Sequence, residues 1–299
     1  MTSITLLDGG LGQEIQKKTG TSAHPLWSVK VMMDQPAIVA EVHDEFINAG
    51  ADAIAVNTYT ATPQRLSANG HPEWFEPAQN KALELAVNAR DKSDRSVQIC
   101  GCLPPLVASY RADRCLDYTT SLETFRSIVA LEQDRVDVFF IETMAQISEA
   151  EAAIDAAKEA GKPVYVGFTV EDDASNHLRS GEALHDAVAM VRAKDIAGIM
   201  VNCSFPEAVT AAMPVLADTG IRFGGYANGF TSIAALDPGT SVDRLEARTD
   251  LSPETYGDFV FSWIEAGASI VGGCCEVGPL HIRHLHERLE AAGYERCPL

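Results

Sequence analysis

Two adjacent cysteines, Cys274 and Cys275, end the run Val271-Gly272-Gly273-Cys274-Cys275, and a third, Cys203, ends Ile199-Met200-Val201-Asn202-Cys203. Neighbouring cysteines form no ordinary unstrained disulfide with each other, yet both thiolates can bind one soft metal ion. Three thiolates suit zinc, and three protein ligands leave a fourth position open for a substrate. Zinc among three thiolates is electron-rich, hence a poor Lewis acid for hydrolysis and a good holder of a substrate thiol in its thiolate form. The chemistry these residues point to is alkyl transfer to sulfur.

Plainer readings compete with that one. A solitary cysteine in an apolar run is ordinarily a small buried hydrophobe, which would account for Cys203 alone. Structural zinc draws on Cys-x2-Cys pairs and four protein ligands, and the sequence contains no such pair. A zinc hydrolase usually has histidine-rich ligation, and the eight histidines form no His-Glu-x-x-His cluster. A non-catalytic zinc-stabilised barrel, such as a thiol sensor, stays open as a reading of another class. Cys102 stands at a strand end and could approach the metal as a fourth thiol. Cys100, Cys115 and Cys297 have no partner pattern.

Cysteines at strand ends need a scaffold that brings those ends together. Short apolar runs expected to be strands are 4–7, 53–56, 97–100, 138–141, 164–168, 198–201, 222–225 and 269–271. Amphipathic stretches such as 37–49, 76–91, 148–160, 183–192 and 206–219 alternate with them. Strand-then-helix units without a composition break imply α/β architecture, a single (β/α)8 TIM-type barrel spanning 1–299 and somewhat distorted. The doubly wound open sheet is the runner-up; it would usually carry Gly-x-Gly-x-x-Gly after its first strand, where this chain has Asp8-Gly9-Gly10-Leu11-Gly12. Asp8, Asn57, Cys102, Glu142, Cys203, Asn228 and Cys274 all fall at or just past expected strand ends. In a barrel those positions converge on one face, where catalytic groups sit.

The 299 residues carry a formal net charge of −19, which argues against nucleic acid as a partner. No run approaches the ~18 apolar residues of a membrane span. The opening Met1-Thr2-Ser3-Ile4 has no basic segment of the kind that starts a secretory leader. Seven irregularly placed cysteines do not make a disulfide framework, so a reducing cytoplasmic location is expected. Small-molecule substrates are the expected partners, and a homo-oligomer is compatible with the sequence.

The chain resembles the homocysteine S-methyltransferases, zinc enzymes with a distorted (β/α)8 barrel that convert homocysteine to methionine. The resemblance is carried by Leu7-Asp8-Gly9-Gly10-Leu11-Gly12, Asn57-Thr58-Tyr59-Thr60-Ala61-Thr62, Ile141-Glu142-Thr143, Val201-Asn202-Cys203, Tyr226-Ala227-Asn228 and Gly272-Gly273-Cys274-Cys275. It implies Zn2+ held by Cys203, Cys274 and Cys275, with Asp8 and Glu142 handling the homocysteine ammonium. It also implies that the Gly9 and Gly10 amides cradle the carboxylate, and Asn57 joins the substrate-binding candidates. Pro25-Leu26-Trp27-Ser28 is similar to the segment of members that use S-methylmethionine, which makes Trp27 a candidate face for a sulfonium donor. Betaine is the next donor, and a corrinoid protein a further alternative, although no Asp-x-His-x-x-Gly signature is present. The sequence departs from the family pattern at Glu276-Val277-Gly278-Pro279, where Gly-Thr-Thr-Pro is common, and at Gly101-Cys102-Leu103-Pro104.

Overall fold

The computed structural model describes residues 3–20, 22–236 and 244–299, which leaves Met1 and Thr2 of the opening segment outside the described residues. Eight parallel strands form one sheet: β1 Thr5–Leu6, β2 Ala53–Ala55, β3 Gln98–Leu103, β4 Val138–Met144, β5 Val164–Phe168, β6 Gly198–Asn202, β7 Arg222–Tyr226 and β8 Ile270–Val271. Each strand pairs with its sequence neighbours, and β8 returns to β1 through Thr5↔Ile270 and Leu6↔Val271. The seam between β1 and β2 is thin. It consists of the Leu7↔Ala53 bridge, the Asp8 amide donating to Ala53 O (3.1 Å) and the Asp52 amide donating to Leu6 O (2.7 Å). The result is the expected (β/α)8 barrel.

Between the strands run α1 Leu11–Thr19, α2 Trp27–Asp34, α3 Pro36–Asn48, α4 Pro63–Ala68, α5 Phe75–Lys92, α6 Tyr118–Glu132, α7 Ile147–Lys158, α8 Leu184–Lys194, α9 Pro206–Ala217, α10 Pro253–Glu265 and α11 Pro279–Ala291. Proline opens α3, α4, α9, α10 and α11, where its missing N–H and fixed φ cost nothing. Thr62, Asp117 and Ser252 cap α4, α6 and α10 through their side-chain oxygens. α1, α2 and α4 are additions to the basic alternation, and they crowd the rim beside the ends of β1 and β2.

Strand alternation divides the core. Cys100, Phe140, Tyr165, Met200 and Tyr226 fill the barrel interior, while Ile99, Ile141, Val166 and Ile199 face the helices. The C-terminal tail closes the N-terminal end of the barrel. Thr5 donates to Cys297 O (2.8 Å), Arg222 to Pro298 O (3.1 Å), and the Leu299 amide to Gln98 Oε1 (2.5 Å). Four strands overrun their expected C-terminal limits, β6 and β7 by one residue each, β3 to Leu103 and β4 to Met144 by three. Cys102 and Glu142 therefore sit inside strands, and the β4–β5 register shifts between Ile141 and Met144.

A carboxylate that the sequence reading passed over supports the β3 end. Glu132, fully buried at the end of α6, accepts from the Thr58 hydroxyl (3.0 Å) and from the Cys102 amide (3.0 Å). Burial pushes its pKa up to about 8, against the lowering effect of those two hydrogen bonds. A carboxyl raised in the fold stabilises fully below its unfolded value near 4.5, and that contribution is lost as pH rises through about 8. Glu132→Gln keeps an acceptor for the Cys102 amide and a donor for Thr58 without the ionisation. Calorimetric melting of the metal-free chain should show the wild-type midpoint falling between pH 5 and 9 more steeply than that of Glu132→Gln, by a few degrees.

Candidate active site

The C-terminal ends of the strands surround a cavity with Asp8, Glu142, Cys203 and Cys274 in its wall. Cys203 follows β6 and Cys274-Cys275 follow β8, and the three Sγ atoms lie within 4.8 Å of one another. Four ligands at zinc–sulfur distances of about 2.3 Å place neighbouring sulfurs about 3.8 Å apart, so this trio can close on a zinc-sized ion with small movements. Cys274 Sγ is 2.9 Å from Cys203 Sγ, and the Tyr110 hydroxyl is 2.8 Å from the same sulfur. Hydrogen bonds from Cys274, Cys275, Tyr110 and Asn228 hold the Cys203 thiol well below its ordinary pKa, despite burial. The same interaction pushes the Cys274 thiol up.

Backbone strain accompanies the cluster. Among the described residues, eight non-glycine positions have positive φ, and Trp27, Tyr110, Thr143 and Cys203 are cavity-wall members of that set. Cys203, at φ +51, is fixed by its amide donating to Tyr226 O (3.1 Å). Thr143, at φ +59, is gripped by Asn202, whose Oδ1 accepts from the Thr143 amide (2.9 Å) and whose Nδ2 donates to Oγ1 (2.9 Å). Glu276, at φ +65, holds a left-handed backbone conformation that favours glycine. Its carboxylate accepts from Gln13 Nε2 (2.5 Å) and pairs with Lys17 (3.0 Å).

The two acids face each other across the cavity. Asp8 accepts from the Ala55 amide (2.9 Å), and Glu142 accepts from the Tyr226 hydroxyl (3.1 Å) and the Cys102 thiol (3.2 Å). Burial pushes Asp8 up to about 8, with the Glu142 charge adding to the rise, and burial raises Glu142 as well. Asp8 is not a helix cap, because α1 begins after Gly10. Cys102 belongs to this acid pair, bonded to Glu142, and stands outside the three-thiol cluster.

Gly9 and Gly10 are explained first by packing. A Cβ on Gly9 would lie 2.1 Å from Val277 O, and one on Gly10 would lie 2.6 Å from Cys274 O. The Gly10 amide donates to Val277 O (2.9 Å), so that N–H is already committed, while Gly9 faces the cavity. Asn57 is buried and donates to Ser28 O (3.2 Å) and toward Met32 Sδ (3.6 Å), tying α2 to the end of β2. Trp27 donates from Nε1 to Gln13 Oε1 (3.1 Å), and its ring lies against Gly12 and meets Tyr59 edge-on at 6.4 Å. Gln13 thus links Trp27 to Glu276, the residue following Cys275. Sequence reasoning missed Tyr110 and Phe230, which reach the cavity from long loops with no local pattern to announce them.

Residues 5–289 match the family described as homocysteine S-methyltransferase. This chain belongs to that family. It is 30% identical to the homocysteine S-methyltransferase of Escherichia coli, with 95% of each protein covered. It is 28% identical to a selenocysteine Se-methyltransferase of Brassica oleracea, covering 95% of this chain and 88% of the relative. The metallated crystal form of the Escherichia coli enzyme MmuM superposes with a TM-score of 0.79 at 25% identity, over 96% of both chains. Its oxidized form gives 0.80 at 26% identity, over 95% of this chain and 96% of that one.

Cys203→Ser, Cys274→Ser and Cys275→Ser should each reduce bound zinc in the purified protein from about one per chain to near zero, as read by elemental analysis. A variant that retains full zinc removes its residue from the metal site.

Proposed function

We infer that this protein transfers a methyl group from a sulfonium donor of the S-methylmethionine kind to the thiol of L-homocysteine, giving methionine, with zinc on Cys203, Cys274 and Cys275. The carrying observation is the three clustered thiols in one cavity with two buried acids. Bound there, zinc supplies a soft, electron-rich centre that favours the thiolate form of a coordinated thiol.

The remaining work falls to the protein. Asp8 and Glu142 are costly to ionise in the empty cavity, and an incoming ammonium lowers that cost by pairing with them. Binding the amino group therefore aligns the acceptor, and the position of the cysteines sets how far its thiol reaches. Gly9 places backbone at the cavity wall on the β1 side, where a carboxylate approaches without a side chain in the way. Tyr110 and Asn228, directed at Cys203, favour the thiolate form of that sulfur and fix its orientation. Trp27, Tyr59 and Phe230 offer aromatic surface to the donor's positive centre, each close contact contributing about 0.5–2 kcal/mol. The same surfaces exclude water from the line of attack and hold the two reactants in near-attack geometry.

Two measurements test this reading. Asp8→Asn and Glu142→Gln should each raise the homocysteine KM by roughly 10–100-fold with zinc content retained, the expected loss for one charge-assisted contact. A drop in melting temperature with no change in KM assigns these acids to structure instead.

In a donor panel with homocysteine or selenocysteine as acceptor, S-methylmethionine should outperform betaine. Its departing group is a neutral thioether that requires no proton. Trp27→Ala should raise the donor KM or lower kcat with zinc intact. Equal turnover with betaine, or an absolute requirement for a corrinoid protein, overturns the donor assignment.

A further inference from the structure

Asn202, the last residue of β6, is buried, and its side chain serves a strand that is not its neighbour. It passes β5 and reaches β4, where Oδ1 accepts from the Thr143 amide (2.9 Å) and Nδ2 donates to Thr143 Oγ1 (2.9 Å). Gly167 on β5 leaves room for the crossing: a Cβ there would lie 2.6 Å from Asn202 Oδ1 and 3.1 Å from the Tyr226 hydroxyl. Thr143 lies in the stretch of β4 between Ile141 and Met144 where the β4–β5 register shifts. A β-branched residue at φ +59, as Thr143 is, persists only where its surroundings hold it, and Asn202 grips it by both backbone and side chain.

That clasp joins the two ends of the acceptor site. Glu142, the residue before Thr143, is one of the acids assigned above to the ammonium, and Cys203, the residue after Asn202, is one of the three clustered thiols. Tyr226 closes a circuit from β7: its carbonyl accepts from the Cys203 amide (3.1 Å), and its hydroxyl donates to Glu142 (3.1 Å). Glu142 and Cys203 are therefore tied together twice, once through Thr143 and Asn202 and once through Tyr226. Asp8 stands outside this circuit, bonded to Ala55 on β2. A shifted register beside a site re-aims the side chain it carries, and here that side chain is Glu142. A fixed spacing between an amine-binding acid and a thiol-binding cluster acts as a ruler. The acceptor has to satisfy both ends at once, and a chain of the wrong length satisfies only one.

We propose that Asn202 is a positioning residue that sets acceptor length: by clasping Thr143 it fixes Glu142 relative to the thiol cluster, and so selects the homocysteine chain over the cysteine chain, which is one methylene shorter. This rests on the methyl-transfer reading above. Asn202 makes no bond to the acceptor and exerts its effect through Glu142. A thiol without an amino group engages only the cysteine end of the ruler, so its binding does not depend on the clasp.

The test measures binding of L-homocysteine, L-cysteine and propane-1-thiol to the zinc-loaded full chain by calorimetry, with zinc content read in parallel. Wild type should bind homocysteine at least about tenfold more tightly than cysteine, the discrimination one methylene commonly provides. Asn202→Ala should weaken homocysteine about tenfold, bringing that ratio near one, while propane-1-thiol affinity and zinc content hold. Asn202→Asp keeps an acceptor for the Thr143 amide and for the Thr143 hydroxyl, and should retain most of the discrimination. Gly167→Ala, which presses on Asn202 from β5 outside the cavity wall, should lower the ratio as Asn202→Ala does. In turnover, Asn202→Ala should raise the homocysteine KM and leave the donor KM in place. An unchanged homocysteine-to-cysteine ratio in Asn202→Ala, an equal loss for propane-1-thiol, or a loss of zinc overturns the proposal. Should Asn202→Ala fail to fold, Gly167→Ala and Asn202→Asp still decide it. Length discrimination that follows Asn202 with no methionine formed upholds this assignment and refutes the methyl-transfer reading instead.

Discussion

Everything at the site depends on how closely the backbone after β1 approaches the backbone after β8. The Gly273 amide donates to Asp8 O (3.0 Å), and the Gly10 amide donates to Val277 O (2.9 Å), so the two loops are laced in both directions. That lacing tolerates no side chain: a Cβ on Gly272 would sit 2.6 Å from Leu7 Cβ, and one on Gly9 would sit 2.1 Å from Val277 O. The approach sets Asp8 beside the paired cysteines and closes a barrel whose β1 and β8 contribute only short ladders. Without it the thiols would still exist, but the groups facing them would not be held in place. The glycines that look in sequence like an anion-binding turn are in the first instance a packing device, and the cavity follows from it.

A second consequence concerns charge. The cavity wall combines the three clustered thiols, the Cys100 and Cys102 thiols, two carboxyls and the Arg65 guanidinium, all partly or wholly withdrawn from water. Asp8 is held up near 8 and Glu142 is raised, chiefly by burial, so the empty site favours a less charged state than its composition implies. A cavity of this kind is poised for ligands that bring compensating charges. An ammonium group is the compensating charge that suits the two acids. Occupancy then converts costly buried groups into paired ones, which gives selectivity against molecules of the wrong charge pattern.

The barrel was legible because each strand is a short apolar run with its own polar terminus, and because Asp8, Cys203 and Cys274 fall at those termini. The three-thiol cluster was legible because cysteine is scarce, and a Gly-Gly-Cys-Cys run has few structural uses. Strand ends were less so: β3 and β4 extend through Cys102 and Glu142, where polar residues would ordinarily stop a strand, because Glu132 and Tyr226 give those segments buried partners. Tyr110 and Arg65 were not legible at all. Tyr110 reaches Cys203 from a long loop at φ +62, and Arg65 reaches the cavity wall from a short helix whose sequence carries no sign of it, which is a property of space rather than of sequence.

The departure at Glu276 shows how a local exception becomes part of the site. Left-handed backbone there favours glycine, and a glutamate costs about 1 kcal/mol in strain. The side chain that comes with that cost is bonded to Gln13 and Lys17, and Gln13 in turn accepts from the Trp27 indole. Trp27 is itself at positive φ and packs on Gly12, so its ring position is fixed from both the backbone and the indole side. A continuous polar chain therefore runs from the residue after Cys275 to the aromatic wall. The thiol cluster and the aromatic wall of the cavity are thus joined by two hydrogen bonds through Gln13, and the left-handed glutamate is what makes the second of them possible.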